Sequence, residues 1–329
     1  MTNSLLAGVQ VHEVASSPAV RFCGRLFALA GARVHRYSPN LAHSPTAADS
    51  SALDLFLDDA KILVRKPLLP TRVHPGDVVL ADADADWFAL VASTQVTSGT
   101  VDTCDPESAR HGWHMPEIVL AALGGAASYT RTDDGRPVYG NGHRFQYLAG
   151  QYLYVALTAM IGIPADGPRS PEHPRVRVHA DEVVAALLPY GTTQYAYNGT
   201  TTTVEQSGPR FLAECLDGYL CVYAGGPWPA LASMLDLEAD DDRFDRFAAR
   251  FSNVDALDEL VQRWAKRLTL DEAIGRAHAS SVAVAPCDDL VTALEDVTLW
   301  QNGALLTSRD GGDEITVPGL PYAVREVAS

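Results

Sequence analysis

The chain has 329 residues, enough for about two domains at roughly 100–200 residues each, and its 47% hydrophobic and 20% charged content is that of a folded globular protein. Forty-one acidic residues against 25 basic ones leave a net charge of −16, which repels phosphate backbones and excludes nucleic acid as an expected partner. The five cysteines are odd in number and show no C-x-x-C spacing, which argues against a disulfide framework or zinc ribbon and for a reducing, cytoplasmic setting.

No basic start followed by an apolar run opens the sequence, and the longest apolar stretch, Tyr152 to Pro164, is short of the ~20 residues that span a bilayer, so no membrane association is expected. Val9, Val11 and Val14 form a short apolar strand, and Ser17-Pro18 supplies a helix cap with proline at the first helical position. Phe22, Cys23, Leu26, Leu29 and Ala30 then recur at helical spacing up to Gly31, and Arg33 to Tyr37 reads as the next strand. Strand, helix and strand in this order predict the βαβ unit of an open parallel sheet, with ligands near the carboxyl ends of its strands. The turn Ala15-Ser16-Ser17-Pro18 lacks the G-x-G-x-x-G fingerprint, so NAD is not expected.

A helix-to-strand pattern spans Ala52 to Val64, and short strands are expected at Val78–Leu80 and Phe88–Val91, with loops at Pro67–Pro75 and Asp82–Asp86. Ile118 to Gly125 and Phe145 to Ile163 are predicted buried helices, separated by a turn at Asp133-Asp134-Gly135. The threonine- and glycine-rich run Tyr195 to Pro209 reads as a linker. Beyond it, Leu216-Asp217-Gly218-Tyr219 signals a hairpin, Asp240 to Arg267 an acidic amphipathic helical region, and the tail from Ala304 a strand or loop return.

Several of these segments together resemble the family III CoA-transferases, the group that includes carnitine CoA-transferases, formyl-CoA transferase and α-methylacyl-CoA racemase. The resemblance runs through Gly8 to Val14 with Pro18 to Val34, Leu123-Gly124-Gly125, Gln146-Tyr147-Leu148-Ala149-Gly150, Cys215-Leu216-Asp217-Gly218-Tyr219 with Val222 and Ala224, and then Arg243-Phe244 and Asn253. It implies an α/β fold: a Rossmann-like large domain from both chain ends (1–195 and 290–329), a linker at 196–209 and an inserted small α+β domain at 210–289. It also implies an interlocked homodimer, or a heteromeric pairing with an active family III chain, and CoA or an acyl-CoA as the small-molecule thioester ligand.

The departures from the family bear on mechanism. The resemblance places the nucleophilic aspartate of the transferases at Gln146, and the racemase's histidine, aspartate and glutamate at Pro116, Gln146 and Gly226. A neutral amide is a weak nucleophile, so exchange through an aspartyl intermediate is not expected. His114 and Glu117 flank Pro116, and either is placed to act as a displaced base. His143 stands where it either caps the following helix or faces a ligand, and Gln146 is either an oriented amide donor to a thioester carbonyl or a satisfied buried polar group. The family's loop before this region is replaced by Arg65-Lys66-Pro67-Leu68-Leu69-Pro70, leaving Arg36, Arg65 and Lys66 as the cations to meet the phosphates of CoA. His111 and His114 have a spacing that suits one ion, but a loop with two exposed histidines is the simpler reading, and no metal is expected.

The expected function is thus an enzyme that acts on an acyl thioester, or a related carbonyl substrate, by proton transfer or amide assistance. The alternatives are a catalytically silent partner subunit and a transferase with a relocated nucleophile, such as Glu117.

Overall fold

Ser17 adopts an extended conformation, accepts a hydrogen bond from Val20 N at 3.4 Å and hands on to Pro18, whose fixed φ suits a first helical turn. Helix α1 (Pro18–Leu29) follows, and the chain reverses through Gly31 at φ +98°, a left-handed conformation that costs glycine little. Strand β1 (Gln10–Val14) precedes this helix and β2 (Arg33–Tyr37) follows it in parallel pairing, as the sequence predicts. The computed structural model describes residues 5–37, 52–65, 72–82, 96–132, 134–140, 142–162, 175–200, 209–310 and 313–322. The strand expected at Phe88–Val91 and the loop residues from Lys66 to Pro70 lie outside them.

The chain divides into two units, Met1–Tyr190 with Val297–Ser329, and Gly191–Asp296 between them in sequence. In the first, α2 (Ala52–Asp58), β3 (Ile62–Val64), β4 (Val78–Asp82), β5 (Thr97–Asp102) and β6 (Arg175–His179) complete a six-stranded parallel sheet ordered β3-β2-β1-β4-β5-β6. The order reverses between β1 and β4, which makes the carboxyl ends of those strands the place where such sheets accept ligands.

Strands β5 and β6 are not among the sequence-predicted elements. The segment Thr97–Asp102 is polar, yet Ser98 and Thr100 are buried, and Gly99 lies under the next long helix: a Cβ there would stand 2.8 Å from both Leu153 Cδ1 and Leu157 Cδ1. A glycine inside a strand marks such close approaches. β6 alternates arginine and valine, with Val176 and Val178 turned to the core.

Helix α3 (Glu117–Leu123) and the long α4 (Arg144–Ile161) match the two predicted buried helices to within two residues at each end. α4 packs on α1 at Gly150, where a Cβ would meet the Ala19 carbonyl oxygen at 2.2 Å. α5 (Ala180–Ala186) follows β6, and Tyr195–Asn198, expected in the linker, instead form the last turn of α6 (Pro189–Asn198). Tyrosine and alanine extend this helix up to Gly199, at φ +68°.

One face of the β1–β2–β3 half of the sheet holds a buried ionic cluster. Glu13, with 0% exposure, accepts from Lys61 Nζ at 2.9 and 2.7 Å on its two oxygens and forms an ion pair with Arg36, whose Nε lies 3.3 Å away. Asp58 pairs with Arg36, with Arg21 at 2.8 Å and with Lys61 at 3.4 Å, and Arg21 also reaches Asp54 at 2.7 Å. Burial pushes the Glu13 carboxyl up and the Lys61 ammonium down, and each opposes the other's shift by its charge. Gly24 of α1 leaves the room for this pair, since a Cβ there would fall 1.8 Å from Glu13 Oε2. Arg25, lowered to about 10 by burial, pairs with Asp59, lies over the Phe56 ring and donates to Pro318 O at 2.8 Å. That last bond ties α1 to the returning C-terminal hairpin of β10 (Leu305–Asp310) and β11 (Asp313–Pro318).

The second unit is built on the antiparallel sheet β7 (Arg210–Glu214), β8 (Tyr219–Tyr223) and β9 (Ala283–Pro286). The predicted hairpin at Leu216–Tyr219 closes with Cys215 N donating to Gly218 O at 2.8 Å. Helices α7 (Trp228–Met234), α8 (Asp242–Asp245), α9 (Phe247–Ser252), α10 (Val254–Ala265) and α11 (Leu270–Ala279) complete most of the unit, and the predicted helical region from Asp240 to Arg267 holds three of them. Trp228, Phe244, Leu257, Trp264 and Leu220 form its core. The short helices α12 (Leu290–Leu294) and α13 (Val297–Gln301) lead out of this unit and into the first.

The cluster around Glu13 supplies a test of the fold. Lys61→Met leaves Glu13 buried with only Arg36 beside it, and the expected loss is about 3–5 kcal/mol of unfolding free energy. Adding Glu13→Gln to that variant should restore a large part of the loss. Equal stability of the single and double variants in urea titrations would show that the pair carries no such coupling.

Candidate functional site

The loops at the carboxyl ends of β1 and β4 meet through one side chain. Asp82 closes β4, and its Oδ2 accepts hydrogen bonds from Ser16 N at 2.6 Å, Ser16 Oγ at 2.8 Å and Ser17 N at 3.2 Å. The α1 N-terminus, where a doubly wound sheet would hold a phosphate, is therefore already served by an internal carboxylate. The sequence reading placed Asp82 in a loop; its position directly after an apolar strand was the signal for a different role.

A second carboxylate performs the same task at α4. Glu117 begins α3, is 5% exposed, and accepts from Phe145 N at 2.7 Å and from Gln146 N at 3.3 Å. His143 occupies the cap position of α4 but makes no side-chain capping bond, so Glu117 takes over that function from 28 residues away. The cap expected of His143 is supplied by a carboxylate remote in sequence. The His143 ring is half-buried, with Nδ1 buried and without a hydrogen-bond partner, and its centroid lies 6.0 Å from that of Tyr147.

Gln146, half-buried, lies in the first turn of α4, three residues after the cap residue His143. Tyr147 beside it stacks near Phe22 and Phe56, with centroids at 4.8 and 5.8 Å. Burial raises the Tyr147 hydroxyl, Arg21 opposes that shift and Glu117 adds to it, so the phenol stays neutral and able to donate.

His114 lies in the turn-rich segment between β5 and α3 and is exposed, like His111. The following Met115 is buried in the same apolar cluster as Cys104 and Phe145, which brings the His114 segment to the α4 N-terminus. Among the described residues no group of three or more His, Cys, Asp or Glu side chains is arranged to hold a metal ion.

Of the three cations expected at phosphates, Arg65 is exposed just beyond β3 and Lys66 lies outside the described residues. Arg36 is 6% exposed and its guanidinium is engaged by Glu13 and Asp58. The expectation of Arg36 at a phosphate gives way to a place in the buried cluster, because its strand position points it at two carboxylates inside the fold.

His179, absent from the sequence-predicted residues, closes β6 opposite Asp102 of β5. Its Nδ1 lies 3.3 Å from Glu182 and 3.9 Å from Asp105, and its Nε2 4.0 Å from Asp102, which also pairs with Arg177 at 3.1 Å. In the second unit, Tyr223, Gly226, Pro227, Leu231, Ser281 and Ala283 border a cavity of about 190 Å³. Arg250 fixes its glycine turn by donating to Ala224 O at 2.7 Å and Gly226 O at 2.6 Å.

Among the described residues, no helix is long and apolar enough to cross a membrane. No curated protein matches the chain in sequence. Its fold is similar to that of a CaiB/BaiF family protein from Brucella suis, with a TM-score of 0.79 at 17% identity, covering 98% of this chain and 93% of that one. It is also similar to the Rv3272 protein of Mycobacterium tuberculosis, with a TM-score of 0.76 at 17% identity over 97% and 92% of the two chains. The sequence profile of CoA-transferase family III matches residues 101–328, well over half of the chain and all of the region that carries Glu117, His143 and Gln146. The chain belongs to CoA-transferase family III.

Proposed function

We propose that this chain is an enzyme that binds an acyl-CoA, or a related acyl thioester, at the carboxyl edge of its parallel sheet and moves the proton α to the carbonyl. The observation that carries this reading is that His143 at the cap and Gln146 in the first turn of α4 stand three residues apart at a helix N-terminus whose Phe145 and Gln146 N–H groups are held by Glu117. In this reading the Gln146 amide N–H donates to the thioester oxygen. A histidine nitrogen removes the α-proton, and the electron pair of the broken C–H bond passes to that oxygen, where the amide stabilises its charge. Return of the proton completes the cycle.

His143 is the base favoured by its place at the cap of α4, three residues before Gln146, and His114 is the alternative supplied by the neighbouring loop. Glu117 is the less suitable nucleophile, because both of its oxygens already accept backbone N–H groups. For CoA itself, Arg65 is the exposed cation that supports contact with phosphate.

A second reading, a catalytically silent partner of an active family III chain, is favoured by the engagement of Arg36 inside the fold. The two readings separate on purification: a chain that turns over acyl-CoA without a second subunit excludes the silent role.

Incorporation of deuterium from solvent into the α-carbon of a short acyl-CoA, followed by mass spectrometry, tests the proposal. Gln146→Ala and one of His143→Ala or His114→Ala should each slow incorporation by ~10²-fold or more. Unchanged incorporation in all three variants, or none in the native protein, contradicts it. Glu117→Gln should cost about 1–3 kcal/mol by leaving one helix N–H facing an amide donor, lowering Tm by several degrees and slowing exchange with it. Native Tm in that variant would show that Glu117 does not hold the α4 N-terminus.

A further inference from the structure

The second unit carries a pair of thiols that the acyl-thioester reading does not use. Strands β8 and β9 run antiparallel with Cys221 opposite Ala285, and Cys287 N donates to Tyr219 O at 2.8 Å, extending the pairing one residue past β9. Cys221 and Cys287 therefore occupy diagonal positions on the same face of the sheet. Both are exposed, whereas Cys23, Cys104 and Cys215 are buried. The Cys221 side chain is near enough to act on the Cys287 thiol.

We infer that Cys221 and Cys287 form a solvent-facing redox dithiol that closes to a disulfide when it meets a low-molecular-weight disulfide such as oxidised glutathione. The two cysteines belong to different strands and Cys287 lies at a strand end, so closure needs only a small movement of the chain after Pro286. Diagonal Cα atoms in an antiparallel pair stand roughly 7–8 Å apart, just beyond the usual disulfide range, which makes that movement necessary. Exposure on an open sheet face also places the bond among those that thiols reopen.

Local desolvation and the neighbouring Cys221 and Asp288 push the Cys287 thiol up, so it stays protonated at neutral pH. Cys221 attacks first. Its thiolate displaces one glutathione thiolate from the oxidised tripeptide and forms a mixed disulfide. Cys287 then loses its proton to solvent and attacks the Cys221 sulfur, releasing the second glutathione thiolate. Two protein thiols are oxidised while one disulfide is reduced to two thiols.

The strands that carry the pair also reach a cavity of this unit at their other end: Tyr223 of β8 and Ala283 of β9 both line it. A cross-link between β8 and β9 would join the two strands that supply these walls.

Incubation of the folded full chain with oxidised glutathione, followed by intact mass and peptide mapping without reductant, tests the inference. The native protein should end with Cys221 and Cys287 in one cross-linked peptide and no retained glutathione. Cys287→Ser should stop at a stable mixed disulfide on Cys221. A native protein that keeps glutathione on either cysteine, stays fully reduced or cross-links another pair overturns it. So does a Cys287→Ser variant that retains no glutathione. Both positions are exposed, and a serine there leaves the core untouched. The outcome is independent of turnover, so it stands or falls apart from the acyl-thioester reading.

Discussion

The placement of α4 depends on a carboxylate that has been taken out of water and spent on backbone. Glu117 reaches from the start of α3 to two N–H groups of the α4 first turn. A helix N-terminus carries about half a positive charge and several N–H groups without intrahelical partners, so a buried carboxylate there is stabilised where elsewhere it would be costly. Farther along, Gly150 lets α4 approach the Ala19 carbonyl and Gly99 lets Leu153 and Leu157 settle over β5. The three contacts fix the helix along its length, and with it the direction in which His143 and Gln146 are presented.

Asp82 repeats the arrangement at α1. Both helix N-termini are thus satisfied from inside the protein. Among the described residues, His143, Gln146 and Tyr147 are half-buried side chains at the α4 N-terminus. The buried cluster below works by the same logic with opposite charges. Glu13, Arg36, Asp58 and Lys61 are each costly to bury alone and tolerable together, and their mutual geometry holds β1, β2 and β3 in register with α1.

The sequence made the opening βαβ unit legible because Ser17-Pro18 and Gly31 punctuate it at both ends and the apolar residues between them keep helical spacing. The two central helices and the Leu216–Tyr219 hairpin were readable for the same reason. β5 was not, since it buries serine and threonine on one face and, on the other, a glycine whose purpose becomes visible only when α4 lies over it. The site was legible in residue types but not in roles. Nothing in the local sequence distinguishes Arg36 of the buried cluster from Arg65 at the surface, and Glu117 takes its partners from 28 residues downstream. Asp82 and His179 were missed because each sits at a strand end, where tertiary position rather than a motif gives a side chain its task.

The proposed chemistry requires an acyl thioester as the ligand of this fold. Thermal unfolding of the full chain with and without CoA and a short acyl-CoA tests that most directly, because a ligand at 100 times its Kd adds about 2.7 kcal/mol to the native state, a shift of several degrees in a chain of this size. A clear rise in Tm with the acyl-CoA is the result expected here. An unchanged Tm at millimolar CoA and acyl-CoA would mean that the fold of CoA-transferase family III has been kept for a different ligand.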